Sequence, residues 1–226
     1  MLLQSIDNIS AVFFDMDGTL VDSETLTEPA IRELCRENGI DEFDLDCTAF
    51  FGGPWDEIER QLKVEYPPLN GANGLATRLD EIYHEMLATA NPPLIPMSTD
   101  SVIRANALVP TAIVSSSSRK SIELTMTRMD IIANINYYAG AEDYDNFKPA
   151  PDAYLKAASE LNVPAGECLV FEDSIVGITA AKKAGMSVIA ITHRCNDIAA
   201  ASRLADGLIR DFAELDDGFF DRVCKK

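Results

Sequence analysis

Six short apolar or β-branched runs punctuate the chain: Ala11–Phe14, Thr111–Val114, Tyr137–Ala139, Cys168–Phe171, Val188–Ile191 and Gly207–Ile209. Most lack polar alternation, the pattern of strands covered on both faces. Helical stretches alternate with them at Ser98–Leu108, Ser121–Met129, Asp152–Leu161, Val176–Ala184 and Ile198–Leu204. This alternation predicts an α/β fold, a doubly wound parallel-sheet (Rossmann-like) core with right-handed crossovers and helices on both faces.

One region breaks the rhythm. Between about Glu24 and Ala90 the pattern predicts helices and no strand. Leu26, Ala30, Ile31 and Leu34 fall at helical spacing, and Gly39 stands where that helix would end. Ile58 and Leu62 mark a second helix. Leu75, Leu79, Ile82, Tyr83, Met86 and Leu87 mark a third, amphipathic one. Asn91-Pro92-Pro93 reads as a linker. The expected organisation is a core made of residues 1–20 and 94–226. A small helical-bundle module, residues 21–93 with its hinges, is inserted after the first strand.

With 226 residues there is room for one large core plus such an insertion. Hydrophobic content of 47% marks a globular chain, and no apolar run approaches the ~20 residues of a membrane helix. The formal net charge is −18, from 37 acids and 19 bases, which argues against nucleic-acid backbones and anionic membranes as partners. The same charge means that any anionic substrate needs a local cation. Five cysteines (Cys35, Cys47, Cys168, Cys195 and Cys224) show no zinc or redox spacing. Met1 to Ser10 lacks the basic start and apolar stretch of a secretory signal, so a cytoplasmic location is expected, and a monomer is the default expectation.

Four segments carry the candidate chemistry. In Val12-Phe13-Phe14-Asp15-Met16-Asp17-Gly18-Thr19, two carboxylates follow an apolar strand and a glycine permits a tight turn. Like unit charges ~4 Å apart at an effective dielectric of ~20 cost roughly 4 kcal/mol, so such a pair calls for a cation or a shared proton. Asp can also serve merely as a helix cap or turn residue. In Val114-Ser115-Ser116-Ser117-Ser118-Arg119 a strand runs into hydroxyls and then a helix, which suits either a phosphate cradle or an ordinary N-cap. In Asn146-Phe147-Lys148-Pro149-Ala150-Pro151-Asp152 a lysine precedes two prolines that stiffen the backbone. In Phe171-Glu172-Asp173-Ser174, acids again follow a strand, where they could bind a cation or simply favour the dipole of the next helix.

All four segments lie at carboxyl ends of predicted strands, where open α/β sheets bind ligands. Oxygen-rich sites select hard cations, and Mg²⁺ characteristically takes carboxylates together with substrate phosphate. The joint reading is a magnesium site that handles a phosphate ester.

These motifs resemble those of the haloacid dehalogenase superfamily, in the helical-cap, β-phosphoglucomutase-like branch of phosphatases. The matching stretches are FFDMDGTLVDSE at Phe13–Glu24, the hydroxyl Ser115, KPAPD at Lys148–Asp152, and FEDSIVGITAAKKAGM at Phe171–Met186. The resemblance implies Asp15 as nucleophile, forming a phospho-aspartyl intermediate, and Asp17 as general acid and base. It implies Mg²⁺ held by Asp15, the Asp17 main-chain carbonyl and Asp173, with Glu172 acting directly or through water. Ser115, with the Ser116 backbone, would bind the phosphoryl oxygens, and Lys148 would add a second positive charge. The expected activity is hydrolysis of a small sugar or polyol phosphate. A phosphomutase or a non-catalytic phosphate-binding relative are the alternatives. The acid at Asp17 argues for phosphate transfer over carbon–halogen hydrolysis. Glu24-Thr25-Leu26-Thr27 lacks the histidine of β-phosphoglucomutases, which argues against a mutase. Lys63, the lone lysine of the inserted module, reads as a helix-surface residue rather than a Schiff-base lysine.

In this family the cap is expected to select the leaving group, closing over the phosphate about hinges near Leu20–Ser23 and Asn91–Leu94. Phe50-Phe51-Gly52-Gly53-Pro54-Trp55 sits where relatives keep a specificity loop. Pro54, Trp55 and two acids stand where several relatives carry a cation, so a leaving group without a second phosphate is expected. Trp55 could equally be core of the helical module, and His84 is expected to be structural.

Overall fold

The computed structural model describes residues 6–40, 55–195 and 197–225. The chain divides into two compact units, Met1–Asp22 with Leu94–Lys226, and Ser23–Pro93.

The first unit is built on six parallel strands: β1 (Ala11–Phe14), β2 (Thr111–Val114), β3 (Tyr137–Ala139), β4 (Cys168–Glu172), β5 (Ser187–Ile191) and β6 (Gly207–Ile209). Their order is β3-β2-β1-β4-β5-β6. The chain therefore winds outward from β1 in one direction and then, from β4, in the other. Phe14 registers with Ile113 on one side and with Phe171 on the other.

Strand alternation sends successive side chains to opposite faces. Val12, Phe14, Ile113, Leu169, Phe171, Ile189 and Ile191 form one apolar cluster, and Ala11, Phe13, Ala112, Val114, Val170, Val188 and Ala190 form the other. Among the described residues, this unit has six α-helices: α4 (Ser98–Asn106), α5 (Arg119–Arg128), α6 (Asp152–Glu160), α7 (Ile175–Lys183), α8 (Ile198–Leu204) and α9 (Phe219–Val223). Helices α4, α5 and α9 supply Val102, Ile122 and Phe220 to the first cluster, whereas α6, α7 and α8 supply Tyr154, Ile178 and Ala201 to the second. The first face is heavily aromatic. Phe14 and Phe171 stack at 5.3 Å, and Phe171 also meets Phe212, Phe219 and Phe220. The second face is rich in alanine, with Ala112 and Ala190 from the sheet meeting Ala157 of α6 and Ala181 of α7 in one cluster.

The second unit contains α1 (Thr27–Glu37), α2 (Trp55–Glu65) and α3 (Leu75–Thr89). Ala30, Ile31, Leu34, Ile58, Leu62, Leu79 and Ile82 are its buried centre. After α1 the chain turns through Gly39 at φ +77°, a left-handed conformation that glycine adopts without steric penalty. Trp55 packs on that centre, 5.3 Å from Tyr83, and donates its indole N–H to Asp80. His84 Nδ1 lies 2.8 Å from the Asp80 carbonyl, a local bond within α3. Lys63 is paired with Glu59 at 2.7 Å. The stretch from Phe50 to Pro54 expected to bear on specificity, like Cys47, lies outside the described residues. No described helix is long and apolar enough to cross a membrane.

Candidate active site

Strand β1 ends at Phe14, and Asp15 extends its pairing by donating its N–H to the Phe171 carbonyl. The chain then folds into a turn. Leu20 and Val21 donate to the Met16 carbonyl, Gly18 donates to the Val21 carbonyl, and Asp17 forms an isolated bridge with Val21. Gly18 is doubly required. Its φ is +79°, and a Cβ there would fall 2.1 Å from Asp173 Oδ2. Thr19, fully buried, donates its hydroxyl to the other oxygen of Asp173 at 3.2 Å.

Lys148 lies in the loop between β3 and α6. That loop is braced by Asn146 donating to Asp152 and by Ala150 donating to the Phe147 carbonyl. The Lys148 side chain is 5% exposed. Its ammonium donates to Asp15 Oδ1 at 2.7 Å, to Glu172 Oε1 at 2.7 Å and to the Val114 carbonyl at 3.1 Å. All three N–H donors are thereby engaged. Lys148 Nζ also lies 5.1 Å from the centroid of the Tyr154 ring.

Glu172 is the last residue of β4 and is completely buried. It does not open the following helix; Ser174 caps α7 by accepting from Gly177 N–H. Besides Lys148, Glu172 accepts from the Tyr154 hydroxyl at 3.2 Å and from the Ser174 N–H and hydroxyl at 2.9 and 3.0 Å. A fully buried carboxylate is tolerable only with such compensation.

The four serines after β2 separate by position. Ser115 is buried, and Ser117 is half-buried. Both donate to Asp17 Oδ2, Ser117 at 2.7 Å and Ser115 at a long 3.4 Å. Ser118 is the N-cap of α5, accepting from Ser121. Ser116 is exposed. The hydroxyl that sequence reasoning missed is Ser117. Two-residue alternation after β2 was the available signal, since it pairs Ser117 with Ser115.

Oxygens of Asp15, Glu172 and Asp173 lie within 4.8 Å of one another. The Asp17 carboxylate is not in that trio and faces the serines instead. Burial, the largest influence, pushes the Asp15 carboxyl up to about 8; Lys148 opposes the shift, and the neighbouring Glu172 and Asp17 carboxylates add to it. Lys148 is held well above its usual range by Asp15 and Glu172, against the effect of burial. One ammonium therefore faces more acidic charge than it neutralises. An all-oxygen cluster with surplus negative charge fits a hard divalent cation.

The model of the haloacid dehalogenase-like hydrolases matches residues 12–191, spanning both the β1 turn and the β4 carboxylates. The chain belongs to this family. It is 30% identical over 209 residues to the validoxylamine A 7′-phosphate phosphatase of Streptomyces hygroscopicus subsp. limoneus, covering 89% of this chain and 93% of the relative. It is 29% identical over 185 residues to the fructose-1-phosphate phosphatase of Escherichia coli (strain K12), covering 81% and 96%. The β-phosphoglucomutase of Clostridium difficile shares the fold, with a TM-score of 0.69 at 21% identity over 94% of this chain and 96% of that one. The matched residues include Asp15, Asp17, Ser115, Lys148, Glu172 and Asp173, which the fold brings together beyond the carboxyl ends of the strands.

Proposed function

We propose that this protein is a Mg²⁺-dependent phosphomonoester hydrolase acting on a small sugar or polyol phosphate. The observation that carries the reading is Asp15, held at 2.7 Å by Lys148 beside the Glu172 and Asp173 carboxylates, with Asp17 two residues away on serine hydroxyls. The phosphatase relatives named for a fructose phosphate and a validoxylamine phosphate support the substrate class.

In this reading an Asp15 carboxylate oxygen attacks phosphorus, and the bond from phosphorus to the ester oxygen breaks. Asp17 gives its proton to the departing alkoxide. The resulting phospho-aspartate divides one difficult displacement into two easier ones. Asp17 then takes a proton from water as that water attacks phosphorus. The Asp15–phosphate bond breaks, releasing inorganic phosphate and restoring both carboxyl groups. Lys148 fixes the nucleophile and adds positive charge where the phosphoryl oxygens arrive, and Ser115 with the Ser116 backbone binds those oxygens. Asp15, Asp173 and the Asp17 carbonyl would hold Mg²⁺, with Glu172 completing the set directly or through water. When bound, the ion offsets phosphoryl charge. We assign selection of the leaving group to the helical unit Ser23–Pro93.

The test is inorganic phosphate release from a panel of sugar, polyol, nucleotide and carboxylate phosphate esters, with Mg²⁺ or with EDTA. Metal-dependent release from sugar or polyol esters is expected. Folded protein that releases phosphate from none of them, or isomerises an ester without releasing phosphate, would overturn the reading.

A further inference from the structure

We propose that Ser117 is a positioning residue that sets the orientation of Asp17 for leaving-group protonation; this rests on the hydrolase reading above. Ser117 donates to Asp17 Oδ2 at 2.7 Å, whereas the Ser115 contact to the same oxygen is 3.4 Å. Of the two serine contacts, the shorter one restrains the carboxyl group more strongly.

The Ser117 backbone is held in turn. Its N–H donates to Ser115 Oγ at 3.0 Å, and its carbonyl accepts from Ala141 N–H at 3.0 Å. Gly140 packs against that carbonyl so closely that a Cβ at Gly140 would fall 2.9 Å from it and 2.7 Å from the Arg119 nitrogen. Arg119 is itself anchored by both oxygens of Asp143. The hydroxyl is thus presented by a loop fixed at three points, as an orienting group must be.

The roles of phosphate ligand and acid orienter predict different substrate dependence. A group that binds the phosphoryl oxygens affects every ester alike. A group that orients the acid matters most when the leaving alkoxide is strongly basic. The measurement is kcat/KM, which reports steps up to phosphoenzyme formation, for fructose-1-phosphate and for p-nitrophenyl phosphate. For Ser117→Ala we expect a loss of about tenfold or more on the sugar ester and a change within about twofold on the aryl ester. Ser117→Thr, which keeps the hydroxyl, should restore the sugar-ester rate. Asp17→Asn is run in parallel and should show the same selectivity more strongly. Equal losses on both esters for Ser117→Ala, or no loss on either, would overturn the Ser117 assignment while leaving the hydrolase intact. An Asp17→Asn enzyme that does not discriminate between the esters would instead overturn the role of Asp17, and the proposal with it. Melting temperatures of all three variants verify that the fold persists.

Discussion

A Cβ placed on Gly177 would fall 1.5 Å from Oε1 of Glu172, so the first turn of α7 leaves room for that carboxylate only because residue 177 has no side chain. Glu172 cannot retreat, because Lys148, Tyr154 and Ser174 hold it. We predict that Gly177→Ala costs about 1–3 kcal/mol of stability and shifts Glu172 away from Lys148. Urea denaturation would measure the first effect. A kcat within error of wild type would show that the Glu172 position is dispensable.

Asp15→Asn is expected to lower turnover by roughly four orders of magnitude or more, as loss of a covalent nucleophile does. The circular dichroism spectrum should be unchanged. Intact-mass analysis of the wild type quenched in acid during turnover should show a phosphoryl adduct that the variant lacks. An adduct on another residue would remove Asp15 from the nucleophile role.

Replacing Lys148 by Met leaves Asp15 and the fully buried Glu172 without their shared cation. Breaking a buried ion pair from one side costs about 3–5 kcal/mol, so this variant should be much less stable than one altered at an exposed pair such as Arg60–Glu57. Denaturant midpoints of the two variants decide the matter, and similar midpoints would contradict the prediction.

The raised Asp15 carboxyl makes the metal-free protein sensitive to alkali. A group whose pKa is raised on folding, here from 3.8 to about 8, contributes stability that is complete below pH 3.8 and is lost as pH climbs through about 8. Lys148, held above 10.5, acts only at higher pH and does not oppose this trend. In EDTA the melting temperature should therefore fall between pH 5.5 and 8.5, and the fall should be absent in Asp15→Asn. Because a proton on Asp15 competes with a cation, added Mg²⁺ should raise the melting temperature more at pH 8.5 than at pH 6. An equal Mg²⁺ effect at both values would exclude Asp15 as a ligand.

The strands and most helices were legible because each is a local consequence of composition. Runs such as Cys168–Phe171 have no polar alternation and can only be covered on both sides, and Pro151 and Ser118 mark the starts of α6 and α5. Helix α9 escaped notice. Its five residues are too few for periodicity, and Phe219 and Phe220 become helical through packing on Phe171. The serine run shows the same boundary. Two-residue alternation pairs Ser117 with Ser115, but which of the two makes the short bond to Asp17 follows from how the loop is held against Gly140.

The residue types of the site, their order, and their place after strand ends were thus determined along the chain, because turn, cap and strand preferences act over a few residues. The tertiary structure alone decided that Lys148 bridges Asp15 and Glu172, residues 133 and 24 positions away, and that Gly177 exists to accommodate a carboxylate. Those outcomes depend on strand order and on the desolvation of charges brought together from distant segments, and no local pattern encodes either.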